Sequence, residues 1–133
     1  MKSMVVACVL TTLSSICLSQ NIKVRLDVSA DDVNIRNVIT SQLRTSINAL
    51  NYMSVAETGI NFVLKITVVE IRNGENVNGI SMSTILVKKR IIDGQDIYQL
   101  MTNALNIVEN DPERMKAKCI ELVARFDVNN YFK

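Results

Sequence analysis

The stretch Asn61-Phe-Val-Leu-Lys-Ile-Thr-Val-Val-Glu-Ile-Arg72 decides the fold. Successive side chains of an extended chain point to opposite faces, so Phe62, Leu64, Ile66 and Val68 share one side. Val63, Lys65, Thr67, Val69 and Ile71 share the other. Both sides are largely apolar, which predicts a central strand or one whose outer face meets a partner.

Downstream, Asn73-Gly-Glu-Asn-Val-Asn-Gly79 carries two Asn-Gly pairs, and Asn-Gly supplies the positive φ angles that hairpin turns need. Residues 73–79 are therefore expected as a hairpin loop. The return strand runs over residues 80–89, with Ile80, Met82, Thr84 and Leu86 on one face and Ser81, Ser83, Ile85 and Val87 on the other. Asp93-Gly-Gln-Asp96 then reads as a helix start, and Ile97, Leu100, Met101, Ala104, Leu105 and Val108 form its apolar stripe. Asp111-Pro112-Glu113 restarts the chain as a last helix, because proline suits a first helical position and an acidic residue before it can cap. Its stripe is Met115, Cys119, Leu122, Val123 and Phe126, and the tail to Lys133 holds two aromatics that either dock or fray.

Upstream, Ile22, Val24, Leu26 and Val28 alternate with Lys23, Arg25 and Asp27, the period of a half-buried strand. Ser29 and Asp32 form an S-x-x-D start signal for a helix over residues 31–50, with Ile35, Val38, Ile39, Leu43, Ile47 and Leu50 on one stripe. Residues 52–56 make a brief second strand. The expected order is thus β-α-β-β-β-α-α. The expected class is α+β, a two-layer sandwich of a mostly antiparallel sheet with helices on one face.

A chain of 133 residues with 48% apolar and 21% charged content has room for one globular domain. Ahead of it, Lys2 precedes an apolar run from Met4 to Leu18 that contains Thr11, Thr12, Ser14 and Ser15. That run is shorter than the roughly 20 apolar residues a bilayer requires, and it has the plan of a secretory signal peptide. Residues 1–19 are expected to be cleaved and residues 20–133 to fold as a single α/β domain, secreted or periplasmic. Contact with the membrane is then transient, through the leader. A lipid anchor on Cys17 is disfavoured because Ile16 stands where a lipobox needs a small residue.

Cleavage removes Cys8 and Cys17, leaving Cys119 alone and no disulfide within one chain. Its place on an apolar stripe marks it as a buried small hydrophobe. Cleavage also leaves all but one of the 15 basic residues against all 13 acidic ones, a balance that argues against nucleic acid as partner. No asparagine is followed two places on by Ser or Thr, so no N-glycosylation sequon is present, which favours a bacterial envelope.

Histidine is absent, which removes the commonest general base and metal ligand. The four glycines, at 59, 74, 79 and 94, are too dispersed for a phosphate loop. The acidic pairs Asp31 with Asp32, and Asp93 with Asp96, and the group Glu109, Asp111 and Glu113 all sit at expected helix starts, where capping explains them. Lys88-Lys89-Arg90 is the one basic run, at the end of the return strand, where charge keeps a strand edge solvated. No catalytic residue, cofactor or metal is expected, and the chain reads as a non-enzyme.

The strand over residues 22–28, the helix containing Ile39-Thr-Ser-Gln-Leu43, the brief strand ending at Val55 and the strand opening Asn61-Phe-Val-Leu64 together resemble a small bacterial envelope module. The pattern is similar to the amino-terminal domain of the Tol-Pal translocation protein TolB, and to domains of curli-secretion lipoproteins and lipoprotein activators of peptidoglycan synthases. Ile60-Asn61 stands where Ala-Asp is usual in those families. The resemblance implies a non-enzymatic accessory domain that docks on an envelope protein. The expected partner surface is Val63, Lys65, Val69, Ile71, Ile85, Val87, Lys88, Lys89 and Arg90. A small secreted inhibitor or apolar-ligand carrier is the alternative, and it requires a pocket between sheet and helices.

Overall fold

A computed structural model of the protein describes residues 21–132. The expected signal peptide and Cys17 lie outside the described residues. Five strands and two helices follow in the order β1 (Ile22–Ala30), α1 (Val33–Asn48), β2 (Met53–Val55), β3 (Phe62–Asn73), β4 (Asn76–Ile92), β5 (Gln95–Glu109) and α2 (Pro112–Val128). The class is the expected α+β, with one five-stranded sheet ordered β2-β1-β3-β4-β5. β1 runs parallel to both β2 and β3, whereas the long β3-β4 and β4-β5 ladders are antiparallel. β3 is the middle strand, paired along both edges.

Both helices begin as their capping chemistry dictates. Asp111 accepts a hydrogen bond from the Glu113 amide at 3.1 Å, and Pro112 follows it in the first helical position. Asp32 accepts from the amides of Asn34 and Ile35, at 2.6 and 3.2 Å. Asp32, not Ser29, is the cap, because β1 continues through Ser29 in register with Thr67. α1 buries Ile35, Ile39, Leu43 and Ile47, and α2 buries Met115, Cys119, Leu122, Val123 and Phe126. These stripes meet Phe62, Leu64, Ile66 and Val68 of β3 and Ile80, Met82 and Leu86 of β4 in one core.

The tail docks. Phe132 is buried, with its ring edge-on to Phe62 at 5.6 Å and to Phe126 at 5.9 Å, and Asn130 takes the left-handed φ of 56° that turns the chain back. The Tyr52 hydroxyl donates to the Asp127 carboxylate and ties the β2 end of the sheet to the end of α2. Desolvation by burial, with that carboxylate adding to it, pushes the Tyr52 pKa up to about 12.

Two expectations about the second half are corrected. The segment expected as a helix over residues 97–108 is β5. Asp93 and Gly94 have φ of 51° and 77°, the left-handed pair of a two-residue hairpin turn, and a helix cap needs an extended backbone instead. The helical look of the spacing comes from a bulge. Between Leu86 and Val87 the register moves from Leu86↔Thr102 to Val87↔Leu100, skipping Met101, so the outward positions of β5 change from even to odd numbers.

The first hairpin turn is also shorter than expected. Asn73 pairs with Asn76 across Gly74 and Glu75, and the second Asn-Gly lies inside β4. There Gly79 pairs with Glu109, and a Cβ on it would stand 2.9 Å from the Val108 carbonyl oxygen. The glycine is what lets β5 approach that closely.

Candidate functional site

Both helices cover one face of the sheet, and the register builds the other face row by row. Arg25, Val63, Val87 and Leu100 lie abreast; next come Asp27, Lys65, Ile85 and Asn103; then Ser29, Thr67, Ser83 and Leu105. A last row sets Val69, Ser81 and Ile107 side by side. Charge is concentrated on the β1 end of these rows and apolar surface on the β3-β4-β5 end. Val69 is 58% exposed, Leu100 57%, Leu105 71% and Ile107 74%. An open depression of about 400 Å³ lies in the middle, bordered by Ser83, Ile85, Asn103, Ala104 and Leu105.

The residues expected at a partner surface fall in different places. Lys65, Val69, Ile71 and Ile85 are exposed on this outer face, Val87 is half-buried there, and Val63 is buried. The basic run does not form one patch. It lies within β4, which continues to Ile92, and the period of two splits it. Lys88 opposes Phe62 on the helix side, its Nζ 5.7 Å from the ring centroid. Lys89 faces the other way and pairs with Asp96 at 2.8 Å, a contact that raises its pKa. Arg90 is exposed opposite Ile97.

Leu100, Leu105 and Ile107 were not expected at this surface, because residues 97–108 read as a helix. The Asp93-Gly94 pair following a strand was the signal that places them, since it closes a hairpin and brings β5 alongside β4. Beyond Lys88, β4 and β5 leave β3 behind and project as a two-stranded ribbon whose exposed side chains include Ile91, Ile92, Ile97 and Tyr98.

On the helix side, a cleft of about 200 Å³ opens between the starts of the two helices, lined by Ile35, Val38, Val77 and Met115 with Asp32 and Glu70 at its rim. It is smaller than the roughly 300–1,000 Å³ of a pocket that encloses a drug-sized ligand. Cys119 is fully buried, and desolvation pushes its thiol up to about 12, the condition of an inert packing residue. Among the described residues no group of three acidic, cysteine or histidine side chains is placed to hold a metal, and no helix is long and apolar enough to cross a membrane.

No protein-family model matches the chain, and no curated protein matches it in sequence. Solved structures match in fold. The hypothetical protein CT253 from Chlamydia trachomatis aligns at a TM-score of 0.50 with 8% identity, over 84% of this chain and 96% of that one. A variant of the PelC dodecamer from Paraburkholderia phytofirmans aligns at 0.48 with 13% identity, over 87% and 92%. A minor lipoprotein from Acinetobacter baumannii aligns at 0.43 with 12% identity, over 81% and 94%. These neighbours are small bacterial α/β proteins, and the Tol-Pal translocation domain is not among them.

Proposed function

We propose that the chain is a non-enzymatic accessory module of the bacterial cell envelope that docks a protein partner on the outer face of β3, β4 and β5. The observation that carries this reading is the uncovered apolar end of that face, where Val69, Ile85, Leu100, Leu105 and Ile107 stand among small polar neighbours. Contiguous exposed apolar surface with a polar border is what protein interfaces present. The leader-like residues 1–19 support export, and the absence of histidine from the chain supports a binding role over catalysis.

The test compares the full chain with the double variant Val69→Glu and Ile85→Glu as baits in bacterial envelope extract. Both substitutions fall on exposed positions. The reading expects proteins retained by the wild type and lost from the variant, with circular dichroism and thermal midpoint unchanged. Identical sets of bound proteins from the two baits overturn it.

A further inference from the structure

The outermost strand of the sheet, β5, is fifteen residues long, and among the described residues no strand pairs beyond it. The opposite edge, β2, has three. Proteins protect long edges with charge, proline or covering elements. From Ile97 to Val108 β5 has no charged residue, no proline and no glycine. Leu105 and Ile107 stand exposed along it.

A second observation lies on the same strand. Asn106 opposes Met82, and its Nδ2 is buried without a hydrogen-bond partner. A buried amide left unpaired is destabilising. The residue itself is only half-buried on the edge strand, so rotation of its side chain toward the open edge, where a partner can meet it, carries a gain. An asparagine amide holds a donor and an acceptor together, so two of them opposed across a twofold axis satisfy each other.

We infer that two copies of this chain join through antiparallel pairing of their β5 edges, with Asn106 opposite Asn106, into a continuous sheet across a twofold axis. This is independent of the outer-face reading, since it uses the edge and not the face. The register follows from the alternation of side chains. With Asn106 on the axis, Leu105 of one copy lies across from Ile107 of the other on the outer face. Ala104 lies across from Val108 on the inner face, and Asn103 from Glu109. Each apolar side chain therefore gains an apolar neighbour, and each edge gains backbone hydrogen bonds. Beside this end of β5, Arg114 and Lys118 stand with Glu109 and Glu121, so the rim carries both signs and a second copy meets no field of one charge. The interface is isologous and closes on itself at two copies.

Sedimentation equilibrium of the full chain over a concentration series tests this. The expected mass rises from one chain, 14.9 kDa, toward two. Asn106→Asp sets two carboxylates against each other, and the midpoint moves at least tenfold to higher concentration. Since Asn106→Asp can also disturb folding, Leu105→Cys in a Cys8→Ser, Cys17→Ser background is a second probe: a short bismaleimide should link two chains at that position, whereas Val69→Cys in the same background, on the central strand, should stay unlinked. The Val69→Glu, Ile85→Glu double variant leaves the edge intact, so it should lose envelope partners and keep the dimer, which separates this inference from the docking reading. A mass that stays at one chain throughout, or a dimer that folded Asn106→Asp leaves unchanged, overturns it.

Discussion

The two faces of one sheet in this protein both carry large apolar side chains, and these have opposite fates. On the inner face Phe62, Leu64, Ile66 and Val68 of β3 are sealed under α1 and α2. On the outer face Val69, Leu105 and Ile107 face away from both helices and stay open. Hydrophobic stabilisation scales with the area removed from water, so the inner face holds the fold together while the outer face contributes little to it. A chain built this way can change its outer surface with small effect on folding, which suits a surface used for recognition.

The largest expected effect breaks that comparison at its strongest point. Leu64 is fully buried, and Leu64→Ala removes its transfer energy and leaves a cavity, a loss of about 2–5 kcal/mol of unfolding free energy. Leu100→Ala makes the same chemical change on the open face, away from the β5 residues paired in the proposed dimer, and should stay within about 0.5 kcal/mol of wild type. Urea unfolding of both variants checks this. Equal losses would mean that the outer face is covered in solution.

A second prediction uses titration, because both groups with strongly raised pKa values belong to the helix side. Burial raises Cys119 from 9.0 to about 12 and is the first cause that raises Tyr52 from 10.0 to about 12. In each case the folded state favours the neutral form. The stabilisation is therefore complete below about pH 9 and is lost as pH rises toward about 12. The urea midpoint should fall through that window. Cys119→Ala and Tyr52→Phe should each flatten the fall, while Leu100→Ala should leave its slope unchanged.

How much of this was legible in the sequence follows the same division. Inner-face elements were readable because a buried face must keep its period. Residues 35, 39, 43 and 47 of α1, the alternation of β1 and β3, and the Asp111-Pro112 start all appear where the chain chemistry places them. β5 was not readable, and the reason is physical. The bulge at Met101 shifts the phase of its outward side chains and imitates a helical stripe. The partner surface was half readable for the same cause. Lys65, Val69, Ile71 and Ile85 came from β3 and β4, which keep their alternation, and Leu100, Leu105 and Ile107 were lost with β5. Lys88 and Arg90 were misplaced because a run of like charges draws attention to composition, and a strand divides such a run between two sides.

The smallest expected effect concerns the ribbon, which extends past the last pairing of β4 with β3. Gly94 has φ of 77°, and a Cβ there would meet nothing within 4 Å. Gly94→Ala therefore costs only the backbone strain of a left-handed alanine, about 1–2 kcal/mol. A two-stranded ribbon is marginal in water, so that cost is released by opening the turn locally and not by unfolding the domain. Amide exchange should speed up for residues 89–98, with the core amides of β3 and the global urea midpoint unchanged. A fall in the global midpoint equal to the full strain would show that the ribbon is part of the cooperative core. The distinction between a held inner face and a free outer region would then fail at its free end.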